Sequence, residues 1–196
     1  AIDVIQEEVS EDIEKMAAIL PSEKTYLKTG VFQTFKARIP WLLFLMISAT
    51  FTGAIISNYE VKLSEYIALI AFIPMLMGTG GNSGSQSSVT VIRALSLGDI
   101  EFSDIFKVVW KELRVALFCG IVLGAVNFAK LYLIDNLLLH HFDIGYEIIE
   151  MIIVCVTLVI VVFVAKLVGT ILPIIAKKIG LDPAVMASPL VTTIID

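Results

Sequence analysis

Eleven residues, Gly78 to Ser88 (GTGGNSGSQSS), set four glycines and uncharged polar side chains between two strongly apolar segments. In a bilayer every backbone donor and acceptor needs a partner, so non-helical backbone is tolerated only inside protein or along a water-filled cavity. Pro74 withdraws a donor one turn earlier, and the glycines at 78, 80, 81 and 84 weaken a helix further. The stretch is expected to break a membrane span, and a broken span at membrane depth points to a permeation path or binding site.

The surrounding chain is 58% hydrophobic, against about 45–50% for soluble domains. With its long apolar runs it reads as an integral membrane protein. The expected spans are 39–57, 65–97 with the break inside it, 112–134, 146–176 and 183–196. At 1.5 Å per residue the first four can cross about 30 Å of hydrocarbon, while the last reaches only about 20 Å and leaves Asp196 within the membrane. The fold class is all-α: a polytopic membrane protein with five transmembrane helices, the second broken by the glycine-rich stretch. Residues 1–36 form a cytoplasmic amphipathic helix and linker, and residues 37–196 a transmembrane domain whose fifth span is cut short. The chain begins with Ala, has no cleavable-signal pattern and stops inside an apolar run, so it reads as part of something longer.

Lys15, Lys24, Lys28, Lys36 and Arg38 precede the first span; Arg93, Lys107, Lys111 and Arg114 lie between the second and third; Lys177 and Lys178 close the fourth. The opposite loops hold little more than Lys62 and Lys130. This bias places the amino end in the cytoplasm of a multi-pass cell-membrane protein. The basic residues are loop anchors and not a patch, so lipid is an expected partner and nucleic acid is not.

In the opening segment Ile2, Ile5, Val9, Ile13, Met16 and Leu20 recur at steps of three and four, with Glu7, Glu8, Glu11, Asp12 and Glu14 on the remaining surface. Such an acidic helix is not suited to an anionic leaflet. It is either a solvated helix packed on a neighbouring domain or a cluster of oxygen ligands that attracts a hard divalent cation. Pro21 ends it, and Trp41 is placed to anchor the first span at the interface.

Past the break, Asn82, Gln86, Thr90 and Arg93 share one helix face. Such a polar stripe is either a helix-packing seam or the lining of a pore. A phosphate loop is excluded, because no Gly-Lys-Ser/Thr follows and the flanks are membrane spans. Residues 99–111 read as a charged connection along the membrane surface, and Gly120 and Gly124 as a small-residue contact. His140 and His141, with Asp135, Asp143, Glu147 and Glu150 around them, read as an exposed outer loop, since adjacent histidines lack zinc-site spacing. Cys119 and Cys155 read as small apolar packing residues. Lys166 must snorkel or meet a carboxylate, and Pro173 is expected to bend the fourth span.

The fifth span opens at Asp182, a helix N-cap, with Pro183 in the first turn. Ser188, Thr192 and Asp196 follow at steps of four, and Pro189 is expected to free the carbonyl of Val185. An intramembrane carboxylate is a functional residue by default, with a salt bridge to Lys130 or Lys166 as the alternative. An intramembrane serine enzyme is ranked low, because neither motif supplies a His or Lys base, and no enzymatic activity is expected.

MGTGGNSGSQSSVTVIRAL at Met77 to Leu95 and GLDPAVMASPLVTTIID at Gly180 to Asp196 resemble the two signature segments of MgtE magnesium channels, and SEDIEKM at Ser10 to Met16 resembles the end of that family's cytoplasmic connecting helix. The resemblance covers essentially the whole chain. It implies a homodimer of five-span subunits that conducts Mg2+, and alternatively other divalent cations, along the two-fold axis between the second and fifth spans. The transported and bound ion is Mg2+. Its implied contacts are Asp196, the backbone carbonyl of Thr192, and Asn82. Its implied pore lining is Gly78, Gly80, Gly81, Asn82, Gln86, Ser188, Pro189, Thr192 and Asp196, and its implied regulatory pair is Glu11 and Asp12. The family's cytoplasmic regulatory domains are not among these 196 residues. A carrier that couples the cation to another ion is the rival reading, since broken helices also support alternating access.

Overall fold

The computed structural model describes residues 2–21, 26–138 and 146–196. Among these every regular element is helical. Helix α1 (Ile2–Met16) is followed by the long α2 (Val31–Leu63), a short α3 (Ile67–Ile70) and α4 (Ile73–Ser96). Helix α5 (Ile105–Lys130) continues into a π-helical segment, Leu131–Leu138; α6 (Ile148–Lys178) comes next, and a 3-10 turn at Pro183–Met186 leads into α7 (Ser188–Ile195). His140, His141 and Asp143 lie outside the described residues.

Three stretches among the described residues are long and apolar enough to cross a membrane: Val31–Lys62, Phe102–Ile134 and Ile148–Lys178. Their outward surfaces are apolar. On α2 Phe44, Met46, Ile47 and Phe51 are exposed, and on α5 Phe118, Val122 and Val126 are. In water such surfaces would be a liability, whereas hydrocarbon solvates them.

The glycine-rich stretch does not break its helix. Helix α4 runs without interruption from Ile73 to Ser96, and the discontinuity lies ahead of it, at Ala71 and Phe72. Pro74 sits in the first turn, where its missing N–H costs nothing. The weak helix propensity of the glycines is overridden by packing: they let the backbones of α6 and α7 approach α4, and in lipid such van der Waals contact is what holds helices together. A Cβ built on Gly80 would lie 2.7 Å from Val161, and one on Gly81 would lie 2.7 Å from Thr192. The closest approach is between α4 and α6, where a Cβ on Gly169 would overlap the carbonyl oxygen of Gly84.

The pairs in contact set the topology. Gly80 meets Val161, Gly84 meets Ala165 and Lys177 meets Leu95, so α4 and α6 run parallel. Gly120 and Gly124 rest on Val159, while Asn127 donates to Cys155, so α5 runs antiparallel to α6. Helix α7 returns antiparallel to α4, with Ser88 bonded to the Met186 carbonyl and Gly80 packed on Ile195. At one end of this bundle Phe72, Leu131, Met151 and Val154 form a core; at the other Val91, Leu95 and Ile174 do so beside Ile100, Ile105 and Val108. Helices α4 and α6 both stop at a left-handed glycine, Gly98 (φ 74°) and Gly180 (φ 81°). In each the next residue bonds back into the last turn, Asp99 to Ala94 and Leu181 to Ala176.

Helix α1 closes the latter end. Met16 packs on Ile92, Ala184 and Ala187, and Lys15 bridges Glu11 and Asp182, each at 2.7 Å. Val9, Ile13 and Leu20, on the face expected to be apolar and packed, are exposed.

The fifth segment also departs from expectation. Asp182 caps its start, accepting from the Ala184 N–H at 2.9 Å. The chain then extends at Ala187 (ψ −160°) before α7 begins. Pro189 therefore lies in the first turn of a new helix, and it frees no carbonyl of Val185 within a continuous one.

Candidate functional site

Helix α4 divides its residues sharply between two faces. Gly80, Gly81, Ser83, Gly84, Ser87 and Ser88 are buried against α6 and α7. Gly78, Asn82, Gln86, Thr90 and Arg93 form an uncovered stripe on the opposite face. The Thr90 hydroxyl bonds back to the Gln86 carbonyl at 2.7 Å, while the amides of Asn82 and Gln86, the apolar Val89 and the guanidinium-bearing Arg93 are exposed on this face.

Helix α7 is held against the glycine side of this wall. Thr192 stands over Gly81, and its hydroxyl lies 3.4 Å from that of Ser85. The carbonyl of Thr192 accepts the Asp196 N–H at 2.9 Å. Thr192 and Pro189 are half-buried and Asp196 is exposed; no side chain is described for Ser188. Asp196 forms no salt bridge with Lys166. The predicted set is thus brought onto two adjoining helices, with Gly80 and Gly81 inside the contact and Asn82, Gln86 and Asp196 at its surface. Glu11 is engaged with Lys15 at some distance along the chain, on α1.

One cluster was only half anticipated by the sequence. Lys166 is 4% exposed on α6, and its ammonium donates to the Ser87 hydroxyl at 3.2 Å. Ser87 in turn donates to Glu112 Oε2 at 2.7 Å, and that oxygen lies 3.9 Å from Lys166 Nζ. Three helices, α4, α5 and α6, are thereby tied through one serine oxygen. The lone charge in an apolar helix was the visible signal. Its partner stands 54 residues away by number and becomes a neighbour only through the antiparallel pairing of α5 and α6. Glu112 also forms one wall of a cavity of about 310 Å³, with Thr90, Asp99, Lys107 and Lys111 among its lining. Ser87 has a lysine beside it after all. Yet it is 2% exposed and committed on both sides, so it offers no accessible nucleophile.

Beside the site, Lys15 and Asp182 hold each other in their charged forms. The Lys15 ammonium is pushed well above its ordinary range by hydrogen bonds to Asp182 and then Glu11. Burial pulls the Asp182 carboxyl upward, but hydrogen bonds from Lys15 and the Ala184 N–H outweigh it and leave the group below its ordinary value.

Comparison with known proteins places this arrangement. The sequence profile of the MgtE divalent cation transporters matches residues 73–196. Three curated relatives align with all of this chain, each described as a magnesium transporter MgtE. That of Thermus thermophilus is 35% identical over 195 residues, that of Bacillus subtilis 33% over 196, and that of Enterococcus faecalis 31% over 195. The chain spans 41%, 41% and 40% of their respective lengths. By the profile match, which takes in more than half of its length, the chain belongs to the MgtE family of divalent cation transporters.

Proposed function

We propose that this chain forms the pore of a magnesium channel, a homodimer in a cell membrane with its amino end in the cytoplasm. The five crossings are α2, the α3–α4 unit, α5, α6 and the segment through α7. The observation that carries this reading is the uncovered polar stripe of α4. Asn82, Gln86, Thr90 and Arg93 are costly against lipid, whereas α2 and α5 turn large apolar side chains outward. A second copy meeting this face across a two-fold axis covers the stripe and encloses it as a path.

The chemistry of the lining suits a hydrated dication. Mg2+ sheds water reluctantly and keeps an octahedral shell, so a path for it needs outer-shell acceptors in place of a dry cage. The side-chain carbonyls of Asn82 and Gln86 and the backbone carbonyl of Thr192 supply neutral oxygens. Two Asp196 carboxylates facing across the axis repel each other when the path is empty, and a dication relieves that repulsion better than a monovalent ion. Few charges among many neutral oxygens keep binding weak enough for release. Gly78, Gly80 and Gly81 contribute by what they omit, since side chains there would hold α7, with Ser188, Pro189 and Thr192, away from the wall.

The test is cysteine substitution with Cys119 and Cys155 replaced by Ser. A cationic thiol reagent should block Mg2+ uptake into proteoliposomes by Asn82→Cys, with Mg2+ protecting, and should leave uptake by Leu117→Cys intact. Labelling of Asn82→Cys without block would remove that face from the path. Uptake that saturates and tracks a Na+ or H+ gradient would favour a coupled carrier.

A further inference from the structure

The buried cluster of Ser87, Glu112 and Lys166 has no part in the permeation chemistry above, yet it is the polar junction of three helices. Burying an ammonium and a carboxylate costs several kcal/mol each unless they are well paired, so a structure that merely needed packing would be served by apolar side chains. What the cluster offers is direction. Helix α4 presents Gly78, Gly80, Gly81 and Gly84 along its central turns, and these have no side chains to interlock with a neighbour. Below its apolar end at Val91, Ile92 and Leu95, where Lys177 also holds the Leu95 carbonyl, the rotation of these turns is set by three side-chain contacts: Ser85 with Thr192, Ser88 with the Met186 carbonyl, and Ser87 with the charge pair. Ser85 and Ser88 both reach the segment through α7. Only Ser87, among these, ties α4 to α5 and α6. It lies one residue beyond Gln86, so Ser87 faces the cluster while Gln86 stands on the uncovered stripe.

We propose that Lys166 and Glu112, acting through Ser87, are positioning residues for permeation: they lock the rotation of α4 and thereby determine which of its side chains face the path. The geometry gives the mechanism. One serine oxygen donates to a carboxylate fixed on α5 and accepts from an ammonium fixed on α6, so turning α4 in either sense stretches one of the two bonds. A turn of one residue on a helix is about 100°, enough to exchange an amide of the stripe for the neighbouring serine position. Loss of the lock therefore lets Ser83 and Ser85, which flank the stripe and are covered or half-covered, compete with Asn82 and Gln86 for the lining, which weakens discrimination before it unfolds anything. This inference rests on the magnesium-channel reading.

The experiment uses Ser87→Ala, which removes the strut and leaves the two charges to pair directly, and the double variant Lys166→Met with Glu112→Gln, which removes both charges together. In each background, single cysteines at 82, 83, 85 and 86 are alkylated in detergent and in liposomes, and Mg2+ and Na+ uptake are measured per folded protein. We expect both variants to remain folded and dimeric. The Mg2+ preference over Na+ should fall by roughly 2- to 30-fold, and alkylation should spread from positions 82 and 86 to 83 and 85. A merely structural role would lower the melting temperature and leave both selectivity and the alkylation pattern unchanged, and that result would overturn the proposal. The alkylation pattern needs no transport. If the unsubstituted protein takes up no Mg2+, the channel reading fails while the rotation lock still stands or falls on the labelling.

Discussion

Replacing Gly169 by Ala tests whether α4 and α6 touch as closely as described. The added Cβ would overlap the carbonyl oxygen of Gly84 and lie 2.9 Å from its carbonyl carbon and 3.1 Å from its Cα. All three are backbone atoms, so no rotamer change relieves the overlap, and one helix must retreat. Overpacking of this kind costs about 1–3 kcal/mol, with backbone against backbone at the upper end. The gain in helix propensity from Gly to Ala returns only about 1 kcal/mol. The balance is a loss of about 2 kcal/mol, which for a chain of this size lowers the melting temperature by about 4–8 °C. Gly53→Ala on α2 is the control: nothing lies within 4 Å of its Cβ position, so propensity acts alone and the temperature should hold or rise. The assay is thermal unfolding of detergent-solubilised protein followed by size-exclusion fluorescence. If Gly169→Ala melts at or above the parent while Gly53→Ala behaves as stated, α4 and α6 are not in backbone contact.

Other perturbations follow from the same geometry. Asp182→Asn removes the charge partner of Lys15 at a site partly open to solvent, so α1 should loosen by about 0.2–1 kcal/mol, seen as faster proteolysis between Met16 and Val31. Asp182 is depressed below 3.8, so its contribution is present above that value and is lost as pH falls through the lower folded value. Lys15 is raised above 10.5, so its contribution is present below 10.5 and is lost only as pH rises through the higher folded value. Docking of α1 should therefore be flat in pH between these limits and weaken in acid, and an appreciable change near neutrality would contradict the pairing. Lys177→Met removes the 2.8 Å hydrogen bond to the Leu95 carbonyl and should cost about 1 kcal/mol, visible as faster amide exchange in the last turn of α4. Gly81→Val drives a branched side chain into Thr192 and should abolish Mg2+ uptake; normal uptake would separate the glycine seam from the path.

The sequence was most informative where a local rule acted alone. Asp182 reads as an N-cap and is one, because capping depends only on the next few residues. That Asn82, Gln86, Thr90 and Arg93 share one face follows from helical periodicity alone, but that the face is uncovered and not a packing seam became visible only once α6 and α7 were seen to lie against the other side. Glycine content misled in the same helix. Propensity argues for a break at Gly78–Ser88, but α4 continues through it, since what glycine loses in propensity it recovers when α6 and α7 close on the bare backbone. The interruption at Ala187 was illegible for the opposite reason: Pro183 and Pro189 each fit the first turn of a helix, and the sequence shows no rule for two starts in succession. Lys166 announced a need for a carboxylate, but Glu112 could be chosen only once α5 and α6 were seen to pair antiparallel. Family likeness, in contrast, was readable outright from the two motifs, and the profile match over 73–196 covers both.

In the proposed channel, Asp196 gives a homodimeric path its preference for Mg2+. The most direct measurement is Mg2+ and Na+ flux into proteoliposomes holding the protein with native Asp196 or with Asp196→Asn, at equal amounts of folded dimer. The native protein should admit Mg2+ in preference to Na+, and the amide variant should lose this preference while remaining dimeric. Equal Mg2+ selectivity in the two proteins would contradict that role of Asp196.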